Sequence, residues 1–338
     1  MTGIAAGRTW SRIGPEVAPT PSSASGVWLL NEYSENQGAG TWPNPYFGAG
    51  FIAGGESTSS AQLSRVDKFA FPSDARSTLG TGLAAATYAL AGFSDSGTAG
   101  YAAGGVSGGN TNVTAVDKFA YPGNSRTTLG TGLSNSIFYT SGMGNSGVAG
   151  YVSVGGVSND TVNKFAFPSD SRTSLSTGLS QNLWQTSAMA NSGVAGYFAG
   201  GRNISSADQT TVDKFAFPSD SRTTLSTGLS ITNRLGGAMA DSGTAGYVGS
   251  GNSLHQTINK FAFASDARTT LSATLTSGIW NAAGMENKGT AGYFAGGYSG
   301  PYLTTVDKIA FPGDTKTTLS TGLSVGSAYS AGFSDANI

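Results

Sequence analysis

The sequence predicts an all-β chain that folds as a six-bladed β-propeller of four-stranded blades, and three observations support this prediction. A phrase of the type VDKFAFPSDSRTTLSTGL occurs six times, beginning at Val66, Val116, Val162, Val212, Ile258 and Val306. The copies begin 46 to 50 residues apart, and a period near 50 with several short strand patterns per unit is typical of propeller blades. The repeats lack apolar residues at helical spacing, which disfavours a helical solenoid.

Each repeat divides into four short strands. In one copy, SAMANSG is the first strand and its turn, VAGYFAGG the second, TVDKFAFP the third and TTLSTG the fourth. Asn and Gly suit the first turn because both tolerate positive φ. The proline ends the third strand because it cannot donate to the ladder. A polar, threonine-rich fourth strand is typical of an exposed sheet edge.

The two ends of the repeat region predict how the ring closes. AGFIAGG, from Ala49, has the pattern of a second strand with no first strand before it. SAYSAGFSDANI, from Ser327, has the pattern of a first strand with nothing after it. We therefore expect the C-terminal strand to complete the N-terminal blade, which leaves no open edge between the first and last blades.

Over about residues 46–338 the pattern resembles the kelch repeat, because a glycine doublet closes the second strand and an aromatic residue lies on the third. The doublets are Gly54-Gly55, Gly104-Gly105, Gly155-Gly156, Gly200-Gly201 and Gly296-Gly297, with Ser250-Gly251 in the fifth unit. Leucine replaces the family's fourth-strand tryptophan at Leu79, Leu129, Leu175, Leu225, Leu271 and Leu319. Some kelch propellers are copper oxidases with a Cys–Tyr cofactor. This chain contains no cysteine, which excludes that version.

Residues 1–45 do not repeat, and we interpret them as an extended N-terminal docking arm before the propeller at 46–338. Five of the eleven prolines lie here, as expected for a linker. The apolar anchors Trp28, Leu29, Leu30 and Trp42 would be exposed unless the arm orders on a partner; a disordered leader is the alternative.

The stretch SGVWLLNEYSENQGAGTWPNP resembles N-terminal segments of structural proteins of tailed, especially marine, bacteriophages. That resemblance implies a virion location, docking on other virion proteins and release by lysis. We accordingly expect no secretory signal.

Composition argues against several functions. Charged residues are 11% of the chain and the net charge is -1, so we expect neither nucleic acid nor an anionic membrane as a partner. No apolar run is long enough for membrane insertion. The HExxH and P-loop motifs are lacking, and the single histidine, His255, lies in a predicted loop. We expect no catalytic residue, no metal and no cofactor, and a protein that is not an enzyme.

Most charges occupy repeated positions and indicate a structural role. Of the 37 charged residues, 21 are the Asp and Lys of VDKF, the Asp of PSD and the following Arg or Lys. We expect the PSD aspartate to cap its turn and the basic residue to pair with the strand Asp. Asn163 and Asn259 replace that Asp in two copies, so a full ion pair is not required there.

Comparison of the six repeats separates a uniform face from a variable one. The first-to-second and third-to-fourth turns hardly change, whereas the second-to-third and fourth-to-first loops differ in every repeat. Diverse loops on a rigid frame are where recognition usually lies. We predict a ligand-binding ring at the propeller mouth on the variable face, formed by Tyr88, Phe138, Trp184, Arg234 and Trp280. These side chains suit stacking on sugars or clamping a peptide; alternatively they plug the channel or pack between blades.

The sequence therefore favours a non-enzymatic virion display or attachment protein, in a tail fibre, tail tip or capsid appendage. The variable face would bind a host-surface glycan or protein, or another virion subunit, and a homo-oligomer within the assembly stays open. A cellular propeller lectin or protein-interaction scaffold is the alternative. An enzyme with a site at the propeller mouth is the least favoured reading.

Overall fold

The computed structural model describes residues 48–155, 159–252 and 254–335. The predicted arm, with Trp28, Leu29, Leu30 and Trp42, lies outside the described residues. Over the described ranges the chain is all-β, as predicted, with one 3-10 turn at Thr58–Ser60. These ranges contain no helix with the length and apolar character needed to cross a membrane.

Six antiparallel sheets of four strands form the frame of the described chain, and we number them 1 to 6 in the order of their third strands. The first strands of sheets 1 to 6 are Ala331–Asp335, Ala91–Asp95, Ser141–Asn145, Ser187–Asn191, Gly237–Asp241 and Ala283–Asn287. The second strands are Ala49–Ala53, Ala99–Ala103, Ala149–Ser153, Ala195–Ala199, Ala245–Gly249 and Ala291–Ala295. The third strands are Val66–Ala70, Val116–Ala120, Val162–Ala166, Val212–Ala216, Ile258–Ala262 and Val306–Ala310. The fourth strands are Ala75–Thr78, Ser125–Thr128, Ser171–Ser174, Ser221–Thr224, Ala267–Thr270 and Thr315–Thr318.

The residue pattern of each strand matches its place in the sheet. Second strands such as Ala195–Ala199 are buried at every position, because neighbouring sheets cover both of their faces. First and third strands alternate between buried and half-buried side chains. Fourth strands are mostly exposed, as the threonine-rich edge pattern predicts.

Sheet 1 combines the two ends of the described region. Ala49–Ala53 pairs antiparallel with Ala331–Asp335, with Ala49 opposite Asp335 and Phe51 opposite Phe333. The first strands of successive sheets contact one another in numerical order, and that of sheet 6 contacts that of sheet 1. The arrangement of sheets is propeller-like.

Apolar side chains fill the spaces between adjacent sheets. Between sheets 2 and 3, Phe93 stacks on Tyr101 with ring centroids 4.7 Å apart, and Tyr101 stacks on Phe167 at 5.4 Å. Comparable clusters occupy the other inter-sheet spaces of the described chain, and the leucines after the fourth strands pack at their margins. The core is therefore divided among the junctions, where stacked aromatic rings add to area burial.

The PSD aspartates join neighbouring sheets. Asp220 of sheet 4 accepts hydrogen bonds from the Tyr151 hydroxyl at 2.8 Å and the Lys164 ammonium at 2.7 Å, both on sheet 3. Among the described residues, equivalent contacts form at Asp74, Asp170, Asp266 and Asp314. The expected side-chain cap of the turn is thus wrong. The aspartate adopts a positive φ, which Asp tolerates, and its carboxylate points across the junction to charge-assisted donors.

The strand aspartates also act across junctions. Asp213 of sheet 4 accepts the backbone N–H of Ser180, from the loop that follows sheet 3, at 2.7 Å. Asn259 accepts the equivalent N–H of Ser230 at 3.0 Å. Arg222 lies 3.6 Å from Asp213, so the expected ion pair forms. Since an amide oxygen accepts the N–H as well, asparagine can replace aspartate here.

Candidate functional site

A narrow channel runs between the six first strands, with a cavity at each end. The two cavities share one ring of small residues, formed by Gly92, Gly142, Ala188, Ala238, Gly284 and Gly332. A Cβ added to Gly92 would overlap the carbonyl oxygen of Gly332. Glycine is therefore required where the strands approach this closely. The first strands run from the variable face towards the uniform face, so each cavity is the channel mouth of one face.

At the variable face, six residues form what we call the mouth ring. They are Ala89, Tyr139, Gln185, Leu235, Asn281 and Tyr329. The backbone N–H of each donates to the carbonyl oxygen of the residue from the preceding sheet, at 2.7 to 3.3 Å, and the N–H of Ala89 donates to Tyr329. All six have φ between 50° and 63°. The positive φ places these backbone groups in a cyclic set of hydrogen bonds and fixes the ring's geometry.

The five predicted ligand residues lie one position before the mouth ring. Tyr88 pairs with Val106, Trp184 with Arg202 and Trp280 with Tyr298 through short ladders or bridges. These ladders place Tyr88, Phe138, Trp184, Arg234 and Trp280 on the variable face but outside the lining of its cavity. Phe138 is 40% exposed. Ligand binding by these five residues stays a prediction, and the residues that follow them line the mouth.

Tyrosines meet over one side of the mouth ring. Tyr139 and Tyr329 flank Ala89 in the ring, and the small alanine lets their rings approach to 5.5 Å between centroids. Burial raises the pKa of both hydroxyls. Tyr88 lies edge-on to Tyr329 at 5.9 Å, and Phe138 edge-on to Tyr139 at 4.8 Å. This side of the mouth is therefore partly covered by aromatic rings.

A second aromatic group adjoins the first through Glu56. Tyr298 lies 6.0 Å from Trp280 and 5.1 Å from Tyr302 between ring centroids. Burial and then the Glu56 carboxylate raise the pKa of the Tyr302 hydroxyl, and the Glu56 backbone pairs with Ala328, which directly precedes Tyr329. We call Glu56, Tyr88, Tyr139, Tyr298, Tyr302 and Tyr329 the tyrosine cluster.

Electrostatics in the tyrosine cluster favour neutral phenols beside a carboxylate. Burial and then the Glu56 carboxylate raise the pKa of Tyr88, Tyr302 and Tyr329 above the ordinary value. The Tyr hydroxyls therefore remain protonated near neutral pH. Within the described part of the chain, Glu56 forms no ion pair.

The opposite half of the variable face has paired charges. Arg234 lies 3.2 Å from Asp208, and Arg202 lies 4.0 Å from the same carboxylate. Asn252 donates to Asp208 at 2.5 Å. The two halves of this face therefore differ in charge and in aromatic content, although the same repeat builds both.

The mouth on the uniform face is small and contains one acidic side chain. Its cavity of about 120 Å³ is lined by serines of successive turns, by Glu286 and by Lys288. The other sheets have Ser, Gly or Ala at the Glu286 position. Burial raises the pKa of Glu286 to about 7, opposed by a hydrogen bond from the Ala240 backbone. The volume is below that of a typical pocket for an organic ligand, roughly 300 Å³ or more.

The remaining chemistry-bearing groups do not assemble into a site. Among the described residues no three His, Cys, Asp or Glu side chains come close enough to hold a metal ion. His255 is half-buried, and burial lowers the pKa of its imidazole. Sequence reasoning missed Glu56, Tyr139 and Tyr329. The two tyrosines lie one position after the residues predicted from the aligned repeats, so comparison of that next position would have found them.

Comparisons with known proteins identify a similar fold. No family model matches the chain, and no curated protein matches it in sequence. The solved structure of YjhT is similar to this chain with a TM-score of 0.63 and 12% sequence identity. The match covers 80% of this chain and 97% of that one. At this identity the similarity shows the fold alone.

Proposed function

We propose that the chain is a closed six-bladed, kelch-like β-propeller that recognises a partner through its variable face without catalysis. Three observations support the ring: the pairing of Ala49–Ala53 with Ala331–Asp335, the cyclic contacts of the first strands and the cyclic hydrogen bonds of the mouth ring. In this arrangement each sheet is one blade, and sheet 1 is completed by the C-terminal strand.

The contrast between the two faces is the observation on which the binding function rests. On the uniform face, the side chain at the end of a first strand accepts a hydrogen bond from the first-to-second turn of the next sheet. Asp95 accepts the Gly147 N–H at 2.7 Å, and Asn145 accepts the Gly193 N–H at 2.7 Å. On the variable face, short accessory strands such as Glu56–Ser57 and Arg202–Asn203 differ from sheet to sheet. Half-buried aromatic rings concentrate there. A rigid frame with one diverse, aromatic face suits recognition.

The biological setting we propose is the virion of a tailed bacteriophage, as a tail fibre, tail tip or capsid appendage. Residues 1–45 would attach the propeller to other virion proteins, and the variable face would bind the host surface, a glycan or protein, or a neighbouring subunit. The support is the resemblance of the N-terminal segment to phage structural proteins and its apolar anchors, which suit ordering on a partner. A cellular lectin or interaction scaffold is the alternative.

Virion association tests the setting directly. The full chain should co-purify with particles, and a variant lacking residues 1–45 should be lost from them while its melting temperature stays within a few degrees. A full-length chain absent from particles that binds a glycan array would favour the lectin. Turnover of any substrate by the purified chain would contradict the non-enzymatic reading.

Paired substitutions test the face. Replacing Trp184 and Trp280 with alanine should abolish partner binding by the full chain, whereas Val148→Ser with Val194→Ser on the uniform face should not. The valines are 51% and 55% exposed, so their replacement leaves the core intact. Equal binding by both double variants would refute the assignment to the variable face. Unfolding of the tryptophan variant would instead favour a packing role for the two indoles.

A further inference from the structure

We propose that the tyrosine cluster is a binding site for an ammonium group, with Glu56 as the counter-ion. The proposal names a ligand class for the variable face and rests on the proposed function. The six members are half-buried, so each presents part of its surface to solvent.

The Glu56 carboxylate, which forms no ion pair with the described residues, sets the sign of the ligand's charge. Glu56 is the one charged member of the cluster, and the hydroxyls of Tyr88, Tyr302 and Tyr329 near it have raised pKa values and are neutral near pH 7. Arg65, which directly precedes the third strand of sheet 1, is held by Asp67 at 2.6 Å, and Arg234 is held by Asp208 at 3.2 Å. A half-buried carboxylate with no cation among the described residues attracts a positive group and repels phosphate, sulfate or another anion.

The aromatic rings favour one kind of cation, a substituted ammonium ion. The faces of tyrosine rings attract cations through their quadrupole, and aromatic groups of this kind recognise substituted ammonium ions. Tyr139 and Tyr329 are fixed at the mouth ring by backbone hydrogen bonds and a positive φ. Tyr88 contacts Tyr329, and Tyr302 contacts Tyr298. Pre-positioned rings lose little conformational freedom when a ligand binds.

A neutral sugar is the competing ligand, and Glu56 separates the two. A sugar would stack on the same rings and form a hydrogen bond with the side chain of residue 56. The amide of glutamine can also form that hydrogen bond. An ammonium group requires the negative charge. Glu56→Gln therefore should weaken ammonium binding strongly and sugar binding slightly.

The experiment uses NMR to follow the tyrosine-ring resonances of the full chain. The chain is labelled with ¹³C-tyrosine, and single Tyr→Phe variants assign the resonances. The probes are tetramethylammonium, n-butylammonium and glucosamine, each compared with sodium chloride at equal ionic strength and with methyl β-glucoside. Tyr88, Tyr302 and Tyr329 should show saturable shifts with tetramethylammonium at millimolar concentration. Glu56→Gln should weaken this binding at least about fivefold. Ile204→Ser, an exposed change on the other half of the face, should leave it unchanged.

Three results would overturn the proposal: shifts that sodium chloride reproduces, equal affinity for methyl β-glucoside, or unchanged affinity in Glu56→Gln. Glu56→Gln is nearly isosteric, and the same spectra report whether the variant is folded. A larger effect of n-butylammonium than of glucosamine would indicate a lysine side chain as the natural source, and the reverse an amino sugar. If ammonium binding fails while Trp184 and Trp280 remain necessary for partner binding, only this inference falls.

Discussion

Replacing Glu286 with glutamine should stabilise the protein at pH 8 and change little at pH 4. The side chain lies in the channel on the uniform face, where burial raises its pKa from 4.5 to about 7. An acid whose pKa is raised by folding binds its proton more tightly in the native state. The free energy of unfolding therefore falls as pH rises from about 4.5 to about 7, and the loss is complete above that window.

The magnitude follows from the same two values. One pKa unit corresponds to about 1.4 kcal/mol, so ionised Glu286 lowers the stability at pH 8 by about 3 kcal/mol. Glutamine removes the charge, and its amide oxygen still accepts the Ala240 N–H. Lys288, in the turn after the first strand of sheet 6, lines this mouth, and Asp241 and Asp335 end the first strands of sheets 5 and 1 at the same face. The parent and the Glu286→Gln variant both contain these groups, so their titration cancels when the two free energies of unfolding are subtracted.

Urea unfolding of the full chain at pH 4 to 9 measures the effect. The difference between Glu286→Gln and the parent should be near zero at pH 4, rise through pH 5 to 7 and level off at about 3 kcal/mol. Lys288→Gln is the matched control, because it removes an exposed charge at the same mouth and should show no such rise. A difference that is flat with pH, or largest in acid, would refute the assignment of Glu286 as a half-buried carboxylate without an ion pair among the described residues.

The remaining predictions concern the frame. Asp220→Ala removes two charge-assisted hydrogen bonds across a junction and should cost about 1–3 kcal/mol in urea unfolding; a neutral result would contradict the bridging role. Asp213→Asn should cost less than about 1 kcal/mol, since Asn259 fills the same role, whereas Asp213→Ala should cost about 2–4 kcal/mol; equal costs would show that charge, not the acceptor, matters. Arg222→Glu, 3.6 Å from Asp213, should lower the melting temperature and leave partner binding intact; lost binding alone would place Arg222 in the site. Deletion of residues 326–338 removes a buried strand of sheet 1 and should unfold the chain; an equally stable product would refute ring closure.

The repeat made much of the frame predictable. Strand order, the exposed fourth strand and the partner of the first described strand, Ala49–Ala53, follow from comparison of the six copies, because each copy meets the same physical demands. The PSD aspartate was misassigned for a physical reason. Its local sequence resembles a self-capping turn, while its partners, such as Tyr151 and Lys164, lie more than 50 residues away in sequence.

The residues that line the mouth of the variable face were predictable only in outline. Diversity of the loops distinguishes the two faces, and binding at the variable one stays a prediction, but the side chains that line its mouth depend on a positive φ at one position in each repeat. That backbone conformation turns Tyr139 and Tyr329 towards the channel and leaves Phe138 outside its lining. Sequence comparison did not single out Glu56, because the tyrosines whose pKa it raises, Tyr302 and Tyr329, lie far from it in sequence.

The junction between sheets 1 and 2 shows how far the repeated charges matter. Here Phe51 replaces the bridging tyrosine, Asn124 replaces the bridging aspartate, and the Lys68 ammonium lies 5.7 Å from the centre of the Phe51 ring. The two replacements are consistent with each other, because a phenyl ring has no hydroxyl to donate and an amide has no charge to pair with lysine. The junction instead has stacked rings, with Phe51 5.4 Å from Phe333 and 5.3 Å from Tyr121. The two sheets therefore join without the PSD-type bridge, through stacked rings together with the hydrogen bonds that the Ala84 and Gly97 N–H groups donate to Asp117 and Asp335. This is why the predicted cost of losing one bridge is a few kcal/mol and not the loss of the fold.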